Sequence, residues 1–193
     1  MNIGSISTRV MAGVLLLSMG LISTPALAAN PTVYTVPWVA SNPLIPHDTY
    51  AGKTITLKGA ADVQGNDYQY TWDFGDGSAV VSGSVTNKRI IEARHAYSGS
   101  PGDIFTARLE VVNLATGEKG SKTYFVQIRE KTLQVESNIA IDEGLWYLHK
   151  TWVDNQCGGA CSYWGNANYG SDGRSRGAAV AASVVNAFES NGH

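Results

Sequence analysis

Residues 68 to 78 read Tyr-Gln-Tyr-Thr-Trp-Asp-Phe-Gly-Asp-Gly-Ser. The rings of Tyr68, Tyr70, Trp72 and Phe74 recur with period two, which in an extended chain places all four on one face. The cluster Gly75-Asp76-Gly77-Ser78 follows at once and turns the chain, because glycine reaches positive φ cheaply and Asp hydrogen-bonds its own local backbone. The segment predicts a strand with an aromatic face, only part of which needs full burial, running into a tight turn.

The flanking sequence has the same period. Ile55 and Leu57 alternate with Thr54, Thr56 and Lys58, the pattern of a strand with one face in a core, and Gly59 loosens that pattern. Ala79 to Val81 predicts a short strand, Ile104 to Asn113 a long one, Thr116-Gly117 a turn and Lys122 to Ile128 the closing strand. Frequent turn signals between short strands point to a two-sheet sandwich. Before it, residues 29–52 predict an extended lead-in: Val33 to Val36 suits an edge strand, and Pro31, Pro37, Pro43 and Pro46 confine the rest to edge or extended conformations.

The first 28 residues have the parts of an export signal. Arg9 supplies positive charge, Val10 to Ile22 are mostly apolar, and Ala26-Leu27-Ala28 offers small residues for cleavage after Ala28. A membrane anchor needs about 20 consecutive apolar residues, and Ser18, Ser23, Thr24 and Pro25 interrupt this run. The expectation is a chain with no transmembrane span after signal cleavage, in the periplasm, on the cell surface or secreted. Fourteen Lys and Arg stand against 16 Asp and Glu, a formal net charge of -2. Without a basic stripe, nucleic acid is not an expected partner.

YTWDFGDGS (Tyr70 to Ser78), His95-Ala96-Tyr97 and the ARLEVVN strand with Gly117 beyond it resemble the PKD domain, an immunoglobulin-like β-sandwich of cell-surface and secreted proteins. The resemblance covers about Pro46 to Arg129, with the domain set at residues 53–130. It implies that Trp72 is core, that Asp73, Gly75, Asp76 and Gly77 shape the hairpin, and that His95 and Tyr97 pack against loops. Where the family has Gly-x-Tyr before the long strand, this chain has Gly102-Asp103-Ile104-Phe105.

Beyond Arg129 the period becomes helical. Ile141, Leu145, Leu148 and Trp152 fall on one face, with Ser137 or Asn138 as a start cap. A glycine-rich loop from Asp154 to about Arg176 leads to a second helix, Gly177 to Ser190, stopped by Asn191-Gly192. The fold class predicted is thus mainly β, a PKD-like sandwich followed by a small α-helical hairpin over residues 131–193. AIDEGLWYLHK, Trp164-Gly165 and AAVAASVVNAFESNGH resemble one repeat of the α/α toroid of terpenoid cyclases and protein prenyltransferases. One hairpin cannot bury its own apolar faces, so the stop at His193 predicts a truncated or split reading frame. Neither the acidic motif nor the zinc-ligand set of those enzymes can be placed on this chain, and catalysis is not carried over.

The remaining candidates divide by chemistry. Asp73 and Asp76 could form a calcium site or a carboxylate pair, but calcium takes six to eight oxygens and no EF-hand spacing is present; turn capping is expected. His95 has no second His or Cys nearby in sequence and is expected to be structural. Cys157 and Cys161, in CGGAC, suit a local disulfide in an exported chain. A zinc site there would need further ligands, with only His149 and Asp154 at hand, so no metal and no cofactor are expected. Tyr163, Trp164 and Tyr169, among amides and glycines, offer faces on which a sugar could stack or mass for packing. Together these features predict a non-enzymatic exported interaction or spacer module, with a protein or polysaccharide at the cell surface as partner. The alternatives are the first part of a larger enzyme or a carbohydrate-binding accessory module.

Overall fold

A computed structural model of the chain describes residues 30–65 and 67–153, together with 163–164 and 185–189. Eight strands form two sheets: β1 (Thr32–Thr35), β2 (His47–Thr49), β3 (Thr54–Asp62), β4 (Tyr68–Asp73), β5 (Val81–Ser84), β6 (Ile91–Ala96), β7 (Ile104–Asn113) and β8 (Lys119–Ile128). One sheet has the order β1-β3-β6 and the other β2-β8-β7-β4-β5. Neighbours are antiparallel except β2, which runs parallel to β8. The chain is therefore mainly β, a two-sheet sandwich with a helix against it.

The core lies between the sheets. Trp72, Leu57, Leu109, Val111, Tyr124, Val126 and Ile128 are fully buried, and Ile55 and Ile91 nearly so. In the register Trp72 stands opposite Leu109 on β7 and Val81 on β5. Gly59 makes room for this packing: a Cβ there would lie 2.3 Å from the Leu109 side chain and 3.4 Å from the Trp72 ring. The glycine that weakens the β3 pattern in sequence is the slot that the Leu109 side chain occupies, with the indole edge beside it. Along β4 and just beyond its end, Tyr68, Trp72 and Phe74 are buried and Tyr70 is partly covered.

Two strand boundaries differ from expectation. The short strand after the turn begins at Val81 rather than ending there, since Ala79 and Val80 are exposed and Val81 is the residue that pairs with Trp72. β8 begins at Lys119 because β7 is long enough to pair that far, Val112 against Lys119. The lead-in is part of the sandwich itself: β1 is the edge of the smaller sheet and β2 extends the larger one. The domain boundary at residue 53 thus cuts through a structural unit that starts at Thr32.

Helix α1 (Leu133–Lys150) is capped by Thr132, whose hydroxyl accepts from the Val135 N–H at 3.3 Å. The expected cap at Ser137 or Asn138 is one turn late. The buried face is also rotated from the expected one. Val135, Ile139, Leu145 and Trp146 are buried, Ile141 is half-exposed, and Trp152 lies beyond the helix in the two-residue strand β9 (Trp152–Val153). β9 pairs antiparallel with β10 (Tyr163–Trp164). The reason for the rotation is polar: α1 meets the outward face of the smaller sheet, where Thr56, Lys58 and Glu92 alternate with core residues. Of the second helix, residues 185–189 are helical, and the rest of Gly177 to Ser190 lies outside the described residues.

Candidate functional site

The turn after β4 gathers the motif residues. Gly75 has φ +72° and comes so close to β7 that a Cβ would lie 2.2 Å from the Thr106 carbonyl oxygen, so both conformation and space select glycine. Asp73 Oδ1 accepts from the Gly75 N–H at 2.9 Å, and Asp76 Oδ1 accepts from the Ser78 N–H at 3.0 Å and its hydroxyl at 2.6 Å. From β6, His95 Nε2 reaches Asp76 Oδ2 at 2.7 Å. The His95 ring lies parallel over Phe74 with centroids 4.0 Å apart, and meets Tyr97 edge-on at 4.7 Å. The Tyr97 hydroxyl donates to the Phe74 carbonyl at 3.1 Å, and its ring stacks on Phe105.

The electrostatics follow from these contacts. Partial burial works to raise the Asp76 carboxyl, but hydrogen bonds from the Ser78 hydroxyl, His95 and the Ser78 N–H outweigh it and hold the group at about 2. Burial pushes the Tyr97 phenol up, and the charges of Asp76 and Asp73 add to that. His95 sits on strand β6 and its ring lies against the turn after β4.

A second cluster lies beneath α1, and sequence reasoning missed it. Lys58 is fully buried on β3, and its ammonium donates to Asp142 Oδ2 and, at 3.2 Å, to the Asp142 carbonyl. Glu143 Oε1 is 3.8 Å from the same nitrogen. Glu143 is fixed in turn by Thr56, which donates its N–H at 2.9 Å and its hydroxyl at 3.0 Å. The His47 side chain on β2 is buried, with Nε2 3.7 Å from Asp142 Oδ2 and no hydrogen-bond partner among the described residues. Its pKa lies below 6.5 because burial disfavours the imidazolium and Lys58 adds to that, against the opposite pull of Asp142, Glu143 and Asp48. Tyr124, tilted against His47 at 5.8 Å, is raised by burial and by Asp142.

Further along the helix, Trp146 Nε1 donates to Glu92, Lys150 Nζ lies 3.1 Å from the same carboxylate, and His149 Nε2 is 2.9 Å from the Arg89 carbonyl. Beside the cluster, a cleft of about 190 Å³ runs between α1 and the lead-in. Its walls are apolar, among them Val39, Ile45, Ile139 and Leu145, and His47 and Asp142 form part of its polar lining.

Among the described residues, no group of three or more His, Cys, Asp or Glu could hold a metal ion, and no helix is long and apolar enough to cross a membrane. Cys157, Cys161 and Tyr169 lie outside the described residues. Tyr163 and Trp164 are placed by their backbone alone, paired with Val153 and Trp152.

No protein-family model and no curated protein matches this sequence. Solved structures do resemble it in fold. One is the PKD domain of an M14-like peptidase from a Thermoplasmatales archaeon, at 14% identity and TM-score 0.34, covering 53% of this chain and 100% of that one. Another is the PKD domain of the human VPS10 domain-containing receptor SorCS2, at 17% identity and TM-score 0.35, covering 67% of this chain and 98% of that one. At this level of likeness no residue's role passes from either domain to this chain.

Proposed function

We propose that this chain is an exported, non-enzymatic PKD-type module that acts as a spacer or docking unit at or beyond the cell surface, with a protein or polysaccharide as partner. The observation that carries this reading is the use made of the motif's polar groups. The carboxylates of Asp73 and Asp76 and the imidazole of His95 are engaged in bonds that shape the β4–β5 turn and tie it to β6. Residues that in sequence resemble a carboxylate pair with a nearby base act together as a fastening. The residues 131–193 extend the module as a helix-loop-helix unit of toroid type, its first helix held on the sandwich.

Cell fractionation with N-terminal sequencing tests the reading. The expected species begins at Ala29 and occurs in the periplasm, at the surface or in the medium. A cytoplasmic chain that keeps residues 1–28 overturns it. For the spacer role, replacing residues 32–130 by an unrelated sandwich of equal length should preserve surface exposure of a C-terminal tag on intact cells; for docking, in-cell photo-crosslinking should lose its adduct in the same replacement. A replacement that keeps the adduct and loses the exposure contradicts both.

A further inference from the structure

We infer that Lys58 and Asp142 are the partners of an intramolecular isopeptide bond that ties α1 covalently to strand β3. The pair meets the chemical demands of such a bond. The amine is fully enclosed and hydrogen-bonded to the carboxylate of Asp142, with the Asp142 carbonyl holding its direction. Holding nucleophile and electrophile in contact turns the reaction into an intramolecular one with a large effective concentration.

The groups around the pair supply the proton path. Moving one proton from Lys58 Nζ to Asp142 Oδ2 gives the amine and the acid. Nζ then attacks Cγ, forming the C–N bond and a tetrahedral centre. Glu143, whose Oε1 lies 3.8 Å from Nζ and which Thr56 holds in place, takes a second proton from nitrogen and returns it to the departing oxygen. His47, with Nε2 3.7 Å from Oδ2, is placed to orient that departing hydroxyl. Of the three ammonium protons, one remains on the amide nitrogen and two leave with a carboxyl oxygen as water. The step needs no oxidant and no co-reactant, which suits a chain expected to work outside the cytoplasm.

Such a bond joins positions 84 residues apart. Closing a loop of that length restricts the unfolded chain much as a long-loop disulfide does. It also explains the choice of a charged layer under α1 where apolar packing is the usual solution, since an ion pair of buried groups is by itself weak support for a fold.

Tryptic mapping of the full chain, purified folded, tests the bond. The expected product is a branched species containing both Lys58 and Asp142, lighter than its two linear components by one water, with no cleavage after Lys58. Cleavage after Lys58 together with an unmodified linear peptide containing Asp142 overturns the proposal, and this measurement needs no variant to fold. Glu143→Gln keeps the volume and removes the proton carrier. A folded, unlinked Glu143→Gln chain supports the assigned path, whereas a fully linked one overturns the role of Glu143.

Discussion

The Nε2 atom of His95 lies 2.7 Å from Oδ2 of Asp76, so strand β6 and the turn after β4 are joined side chain to side chain. Nineteen residues separate the two in sequence, and the contact is made across the face of Phe74. His95→Ala removes both the bond and the stacked ring. A hydrogen bond to a charged group contributes about 1.5 to 3 kcal/mol, and solvent access places this one at the low end, so the expected loss is about 1 to 2 kcal/mol. Urea unfolding checks it; an unchanged midpoint contradicts the fastening role.

The bonds to Asp76, from the Ser78 hydroxyl first and from His95 after it, set an acid limit. Asp76 is held at about 2 against an ordinary 3.8, so the unfolded chain takes up a proton there before the folded chain does. Its contribution is complete above the unfolded value and is lost as the pH falls from about 4 towards 2. Asp76→Asn should flatten this part of the curve of Tm against pH. A slope between pH 4 and 2 equal to that of the parent chain refutes the assignment.

Gly75 and Gly77 look equivalent in sequence but differ in the fold. Both have positive φ, yet a Cβ on Gly77 meets nothing within 4 Å, whereas one on Gly75 runs into the Thr106 backbone. Gly77→Ala should cost about 1 to 2 kcal/mol, the strain of the left-handed conformation alone. Gly75→Ala adds a clash that only a backbone shift relieves, and should cost well over that or prevent folding. Equal unfolding midpoints for the two variants would falsify the distinction.

Trp72 is fully enclosed between the sheets, with its ring edge-on to Tyr124 at 6.0 Å. Trp72→Ala should destabilise the chain by about 3 to 5 kcal/mol, as large aromatic truncations in cores do. Trp72→Phe should recover a good part of that. Denaturant titration of both variants measures the two losses, and a Trp72→Ala chain within 1 kcal/mol of the parent is incompatible with this core.

The sandwich was legible because its signals are local. The period-two aromatics of β4, the Gly-Asp turn and the IFTARLEVVN strand each show within a few residues, and β7 spans Ile104–Asn113 as read. The cluster under α1 was not legible. Lys58 obeys the alternation of a strand with its polar side in water, and nothing local says that a helix from 84 residues further on covers it. The same blindness shifted the helix face: apolar spacing selected Ile141, Leu145, Leu148 and Trp152, of which Leu145 is buried, whereas the polar contacts come from Asp142, Glu143 and Trp146. One usable signal was the acidic pair Asp142-Glu143 inside an otherwise apolar helical run.

His47 gives the test that reports on this covered layer. Burial, with Lys58 adding to it, holds the ring below its ordinary 6.5, so between that value and the folded one only the unfolded chain takes up the proton. Stability should therefore be level above about pH 6.5 and fall as the pH drops below it, a window separate from that of Asp76. An amide between Asp142 and Lys58 would remove both charges, and because Asp142 opposes the depression more strongly than Lys58 adds to it, the ring would be depressed further and the fall would extend to lower pH. Unfolding free energies at pH 8, 7, 6 and 5 for the parent and for His47→Gln should diverge only below the histidine range. Curves that remain parallel throughout would mean that the ring is charged in the fold, or that water reaches it.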